Sequence, residues 1–356
     1  MIIHRCLDDA GRPIGVRMNA LAADTPLGRN GLRVGAMAYG VAALGNLLRP
    51  VPQQEWEGAV PAAWESGVRY FDVAPHYGLG LAERRLGLGL QGRPRDEFLI
   101  STKVGRLLRP VPNSTGARDD EGFDVPADFV RVRDYSRAGI RRSLESSLER
   151  LGLNRVDIAF VHDPDDFYAE ALDHAFPALE ELRAEGVITS YGAGMNQSAM
   201  LTRFVERTDL DVVMLAGRYT LLEQGALDDL LPACLERNVS IVAAGVFNSG
   251  VLATDVPRPT ATYDYEPVPA DVFAAASRLA AVCNRYGTPL PAVAAQFPLG
   301  HPAIRTVCLG AYSAAQVRRN AALFEIDVPE ELWSELRAEG LLRVDVSTPQ
   351  QENAHR

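Results

Sequence analysis

The sequence predicts an α/β fold, a (β/α)8 (TIM) barrel, on three observations. Short β-rich runs alternate with amphipathic helical stretches, the pattern of a parallel sheet joined by helical crossovers. There are eight such runs, the number that closes a barrel. Most are nearly continuous in apolar residues, as strands covered on both faces should be. The same order of elements also fits an open doubly wound sheet, and order alone does not separate the two.

The runs are Val34–Tyr39, Val68–Val73, Phe98–Thr102, Val156–Val161, Val187–Ala193, Asp211–Leu215, Val239–Ala244 and Arg305–Leu309. Between them, apolar residues recur at helical spacing. Ile140, Leu144, Leu148 and Leu151 share one face, and Gly152 follows where a left-handed residue ends a helix. Leu227, Leu230, Leu231, Cys234 and Leu235 form a second stripe. Val272, Phe273, Ala276, Leu279, Ala280 and Cys283 form a third. A junction recurs in which a helix end, then Gly or Asn, then Val opens a strand: Gly67-Val68, Gly186-Val187 and Asn238-Val239. Two long segments, Arg106–Asp134 and Gly245–Pro269, read as irregular loops at strand C-termini, the active face of a barrel. Residues 1–26 read as an extension, 27–346 as the barrel and 347–356 as a frayed polar tail.

Composition narrows the class. At 356 residues, 47% hydrophobic and 23% charged, the chain can bury a large core, so disorder of the whole chain is excluded. A net charge of −10 lacks the basic footprint of a nucleic-acid binder and disfavours anionic membranes. No apolar run approaches the ~20 residues of a membrane span, and the chain reads as cytoplasmic. Asn113-Ser114-Thr115 is a glycosylation sequon without meaning in that compartment. Cys6, Cys234, Cys283 and Cys308 have no zinc spacing, and the last three sit among apolar residues as small buried hydrophobes. Gly87, Gly89 and Gly92 satisfy GxGxxG, but they follow a helical stretch and precede a strand. They mark a helix end, not a dinucleotide loop.

The chemistry lies in four ionisable residues at or just beyond three strand ends: Asp72, Tyr77, Lys103 and His162. In a parallel barrel all strand C-termini face one way, so these side chains can converge on one pocket. A phenol titrates near ~10 and is a poor base at neutral pH. A neighbouring ammonium lowers that value, and a carboxylate can hold the ammonium in place. Tyr77 then serves as acid/base, with Lys103 as its modulator, Asp72 as anchor and His162 as donor to a substrate oxygen. Such a set suits proton transfer coupled to hydride transfer with a nicotinamide. Singly, each residue has a blander reading as cap, solvated lysine, packing ring or Asp-Pro turn. His162 with Asp163, Asp165 and Asp166 lacks a second histidine at ligand spacing, so no metal site is expected.

The segments FDVAPHYG (71–78), STKVG (101–105) and FVHDPDD (160–166) resemble the active-site segments of the aldo/keto reductases. The resemblance runs from about Leu27, where LGRNGLRV is similar to the family's opening hairpin, to about Asn320. It implies a (β/α)8 barrel with an N-terminal hairpin and an Asp, Tyr, Lys, His set at Asp72, Tyr77, Lys103 and His162. RPRDEFLISTKVGRLLRP, VHDPDD, LAGRYTLL and FNSGVLA resemble the family's L-fucose and D-threo-aldose 1-dehydrogenase group, with pyridoxal 4-dehydrogenase nearby.

By the same resemblance, Asn196 holds the nicotinamide carboxamide. Gly245, Val246, Phe247, Asn248, Ser249 and Gly250 wrap the pyrophosphate, and Gly310, Tyr312, Gln316 and Asn320 grip the adenosine ribose. Many relatives carry a cation at the position of Tyr312 and an arginine at that of Gln316. Their loss favours NAD over NADP, unless Arg318 or Arg319 substitutes. Ala216 and Ala244 stand where relatives often have glutamine and an aromatic ring, leaving Tyr219 or Phe247 as candidate stacking faces. The implied function is oxidation of an aldose at its anomeric carbon to the lactone. The alternatives are NADPH-dependent reduction of small aldehydes or ketones, pyridoxal oxidation, and a cofactor-sensing regulatory subunit. The partner in each enzymatic case is a small carbonyl or sugar molecule.

Overall fold

The computed structural model describes residues 21–22, 24–112, 116–264 and 266–349. Eight parallel strands form a closed barrel, which excludes the open sheet. They are β1 (Met37–Gly40), β2 (Tyr70–Asp72), β3 (Leu99–Val104), β4 (Ile158–His162), β5 (Ser190–Met195), β6 (Val212–Ala216), β7 (Ser240–Ala244) and β8 (Ile304–Gly310). Strand β8 pairs in parallel with β1, Val307 opposite Met37 and Gly310 opposite Gly40, and this pairing closes the ring.

Each expected strand is present, with shifted ends. Val34 ends the hairpin strand Leu32–Val34, and the barrel strand starts only at Met37. Between them, a Cβ on Gly35 would lie 2.3 Å from the Leu21 carbonyl oxygen, so the arm before the barrel packs directly on the backbone. Val68 and Val187 precede their strands because Gly67, Gly186 and Asn238 all turn the chain first, with φ of 89°, 75° and 55°.

Alternate strand residues point inward. Ala38, Tyr70, Ile158, Phe160, Val212, Met214, Val242 and Cys308 fill the barrel interior together with Leu27, Leu32 and Val34. The last three come from the antiparallel hairpin Thr25–Leu27 and Leu32–Val34, which plugs the N-terminal mouth. Gly28 N donates to Ser240 Oγ at 2.8 Å, and Arg29 pairs with Asp209 at 2.8 Å, so the plug is pinned to the barrel floor. Only the opposite mouth remains for chemistry.

The outer helices bury one face each. Helix α1 spans Gln53–Glu65, α2 Leu81–Leu90 and α3 Arg137–Leu151. Ser136 caps α3, accepting from Gly139 N, and Gly152 ends it at φ 67°. Gly87 and Gly89 lie inside α2, and Gly92 (φ 78°) turns the chain towards β3. The glycines serve packing. A Cβ on Gly87 would stand 2.2 Å from the Leu151 carbonyl, and one on Gly89 would stand 2.6 Å from Val60 Cβ. Helix α4 is Phe176–Ala184, α5 Ser198–Arg207, α6 Leu230–Arg237, α7 Ala270–Arg285 and α8 Leu290–Gln296. Helices α9 (Ala314–Ala322) and α10 (Glu330–Ala338) follow β8. On α6, Leu230, Leu231 and Cys234 are buried, but Leu235 is exposed and drops out of the expected stripe.

Both long loops carry more order than their composition suggested. Arg106–Pro110 and Phe129–Arg133 pair as an antiparallel hairpin stem, because Val130 and Val132 alternate with arginines over an otherwise irregular stretch. Thr262–Tyr263 and Glu266–Pro267 form a shorter one. Thr348, inside the stretch expected to fray, is fully buried, and Gly300 lies against its backbone; residues 350–356 lie outside the described residues. Cys6 and the Asn113-Ser114-Thr115 tripeptide lie outside the described residues. Among the described residues, no helix is long and apolar enough to cross a membrane.

Candidate active site

The C-terminal mouth opens into a cavity of about 600 Å³ lined by Asp72, Tyr77, Lys103 and His162, among others. The four expected residues therefore share one pocket. Asp72 ends β2, Lys103 sits near the end of β3, and His162 ends β4. Tyr77 lies in the turn after β2, and a close backbone approach fixes that turn. A Cβ on Gly78 (φ 62°) would stand 2.3 Å from the Gly45 carbonyl oxygen, so only glycine lets the two loops touch. Tyr135 OH donates to the His162 carbonyl at 2.9 Å and holds the end of β4.

Lys103 Nζ donates to Asp72 Oδ2 at 2.6 Å and to the Val73 carbonyl at 3.1 Å, both side chains being almost fully buried. Behind them Tyr70 OH donates to Ser101 Oγ at 3.0 Å, and Ser101 Oγ donates to Asp72 Oδ1 at 2.6 Å. Sequence reasoning missed Tyr70 and Ser101. Their signal was the inward period of two: each lies two residues before a site residue on its own strand. The Lys103 ammonium stands 4.9 Å from the Tyr77 ring centroid. The Tyr77 and His162 rings meet edge to face at 6.0 Å.

Burial dominates the electrostatics. It opposes the Lys103 charge, but Asp72 and Tyr77 outweigh it and raise the lysine above its ordinary value. Burial pushes Tyr77 up to about 12, with Lys103 pulling it down and Asp72 pushing it further up. The expectation of an acidified phenol is thus corrected: Lys103 lowers Tyr77 only from where burial alone would place it. Burial, with Arg106 and Lys103 nearby, drives His162 well below its usual value and keeps the imidazole neutral. His76, next to Tyr77, is pushed down to about 3 by burial and by Arg106 and Arg131.

On the β5–β8 side the cavity is lined by Gly194, Asn196, Ala216, Ala244, Gly245 and Gly310, with Met195, Met214 and Cys308 among them. The glycines and alanines on that side leave room for a flat ring. Beyond it, Asn248, Ser249 and Gly250 turn with φ of 46°, 57° and 110°, backbone of the kind that turns N–H groups toward phosphate. The residues present fit a nicotinamide dinucleotide. Asn196, Gly245 and Gly310 line the cavity itself. Val246 and Asn248 are buried, and Phe247 packs half-buried against the core, so this loop can serve a cofactor mainly through its backbone.

Around α9, Gln316 Oε1 accepts from Tyr312 N at 3.0 Å, and Asn320 Nδ2 donates to the Gly310 carbonyl at 3.1 Å. Ser313 caps the helix by accepting from Gln316 N. Arg318 pairs with Glu65 at 3.0 Å, and Arg319 donates to the Ala253 carbonyl. An unanticipated cation, Arg49, lies 4.2 Å over the Tyr312 ring. Neither proposed stacking ring faces the cavity. Tyr219 is buried against Phe297 and His301 and does not line the cavity. The aromatic residues that do line the cavity, Tyr77 and Phe123 with the imidazoles of His76 and His162, all stand on the opposite side.

Among known proteins, the aldo/keto reductase family description matches residues 36–339. The chain is 48% identical over 309 residues to the D-threo-aldose 1-dehydrogenase of Pseudomonas sp, covering 86% of this chain and 94% of that one. It is 41% identical over 334 residues to the pyridoxal 4-dehydrogenase of Microbacterium luteolum, covering 89% and 97%. The holo form of an aldo-keto reductase from Bacillus halodurans superposes with a TM-score of 0.69 at 25% identity, covering 92% and 98%. The barrel, the buried Asp72–Lys103 pair beside Tyr77 and His162, and these likenesses agree: the chain belongs to the aldo/keto reductase family and is an NAD(P)-dependent oxidoreductase.

Proposed function

We propose that this enzyme oxidises an aldose at its anomeric carbon to the lactone, with NAD preferred to NADP. The observation that carries the reading is the joined Tyr77, Lys103, Asp72 and His162 site in a chain so like an aldose 1-dehydrogenase along nearly its whole length. A dinucleotide bound in the slot supplies the acceptor for the hydride leaving the anomeric carbon. Tyr77 takes the proton of the anomeric hydroxyl. Lys103, held charged by Asp72, stabilises the phenolate that this requires. Neutral His162 donates a hydrogen bond to the reacting oxygen and orients it.

NAD preference rests on the neutral Tyr312 and Gln316 and on the other partners already held by Arg318 and Arg319, against which Arg49 over the Tyr312 ring leaves one cation at that end. A second reading, pyridoxal oxidation, is favoured by the likeness to pyridoxal 4-dehydrogenase and uses the same acid/base set. The test is dinucleotide reduction followed by absorbance with L-fucose, other aldoses, pyridoxal and simple alcohols. Faster turnover with an aldose and NAD is expected. Turnover confined to pyridoxal would replace the first reading with the second. Tight dinucleotide binding without any turnover would favour a sensor.

A further inference from the structure

Two matched chains of side chains flank Tyr77. In one, His162 Nε2 lies 3.4 Å from Asp163 Oδ2, which pairs with Arg106 at 2.6 Å. In the other, His76 Nδ1 lies 3.7 Å from Glu121 Oε2, and Arg131 stands 3.4 Å from Glu121 Oε1. The two imidazoles meet edge to face with centroids 5.7 Å apart. His76, Glu121, His162 and Asp163 all line the cavity. The reaction derived above uses the first imidazole and leaves the second without a task.

The second chain is built to a purpose. Arg131 is buried, paired with Asp119, and donates to the His76 carbonyl at 2.9 Å, so it gives Glu121 a fixed cation. His76 Nδ1 is buried and has no hydrogen-bond partner among the described residues. Leaving such an atom unpaired costs free energy. The 3.7 Å between His76 Nδ1 and Glu121 Oε2 is too long for a hydrogen bond. An oxygen beside both atoms would accept from the imidazole N–H and donate to the carboxylate. A hydroxyl is the group that does both at once. His76 adjoins Tyr77, ring centroids 5.9 Å apart, and so borders the place where the reacting oxygen is held.

The geometry points to His76 and Glu121 as a specificity pair that reads a hydroxyl on the carbon next to the reacting one. This rests on the aldose reading. A substrate without that hydroxyl leaves the imidazole nitrogen and the carboxylate unsatisfied, and sites built for a hydroxyl discriminate strongly against analogues that lack it. Because Glu121 is half-exposed, water softens the penalty, and about tenfold to a hundredfold is the expected range.

The test compares kcat/KM for L-fucose and 2-deoxy-L-fucose in the wild-type enzyme, His76→Phe and Glu121→Ala. Phenylalanine keeps the ring that packs edge-on against Phe123 and removes the polar nitrogen. Glu121→Ala alters a half-exposed side chain and so makes the same test without disturbing the core. Retained dinucleotide binding reports that each variant is folded. The wild-type enzyme should prefer L-fucose by at least about tenfold. Both variants should lose most of that preference, through a fall on L-fucose much larger than on the deoxy sugar. Equal wild-type rates on the two sugars overturn the pair's role. So does an unchanged preference in both variants, or an equal loss on both sugars. A wild-type enzyme that oxidises neither sugar removes the aldose reading, and this role with it.

Discussion

At the scale of single residues, Tyr77 illustrates how location sets chemistry. Its phenol sits at about 12, so at neutral pH the proton is present and the base form is scarce. Oxidation needs the base form. Its kcat/KM should therefore climb with pH through the neutral range, approaching tenfold per unit while proton removal limits the rate. Carbonyl reduction, which needs the protonated phenol, should lack that rise. Tyr77→Phe removes the group altogether and should cost about 10²–10⁴ in kcat with dinucleotide affinity retained. Near-normal turnover in that variant, measured under saturating cofactor, would take Tyr77 out of the mechanism. Lys103 depends on Asp72 in turn, since a buried ammonium without its carboxylate would shed its proton. Asp72 for its part is oriented by Ser101 and Tyr70, an inner row of the barrel that supports the outer one.

At the scale of elements, glycines set the distances that let helices and loops meet. Helix α2 lies so close to α3 that Gly87 touches the backbone at Leu151, the last residue of α3. Gly87→Ala adds a methyl where no side chain can yield, because the opposing atom is a carbonyl oxygen. A loss of about 1–3 kcal/mol is expected, read as a lower urea midpoint with unchanged m-value. A midpoint equal to that of the parent protein would show that α2 can slide outward at no cost. The loop hairpin with strands Arg106–Pro110 and Phe129–Arg133 brings Glu121, Gly122 and Phe123 over the barrel mouth. From composition this segment read as irregular, since proline, glycine and aspartate mask the short valine alternation of its stem.

At the scale of the whole molecule, a plugged floor leaves one mouth for the site, and several histidines are buried there or elsewhere in neutral form. His76 is held at about 3, His301 at about 4 and His162 well below its usual value, chiefly by burial. Between those values and the ordinary 6.5, the unfolded chain binds protons that the native protein does not. Stability contributed by these groups is therefore present above pH 6.5 and declines as pH falls below it. The decline approaches about 1.4 kcal/mol per unit for each histidine. Urea midpoints taken near neutrality and about one unit below pH 6.5 should differ by a clear fraction of the total stability. Equal midpoints would contradict neutral burial. What the sequence determined by itself were features written in local periodicity: eight strands, helices with one apolar face, and acidic, phenolic, amine and imidazole groups at strand ends. Residues two or four apart share a face whatever the rest of the chain does. Only the tertiary structure decided between closed barrel and open sheet, since that turns on β8 pairing with β1 across nearly the full chain. It alone placed Arg49 over Tyr312, removed Tyr219 from the cofactor slot and joined His76 to Glu121 and Arg131. It also reversed the expected acidity of Tyr77, because burial is a sum over surrounding atoms from many segments, and no short stretch of sequence records that sum.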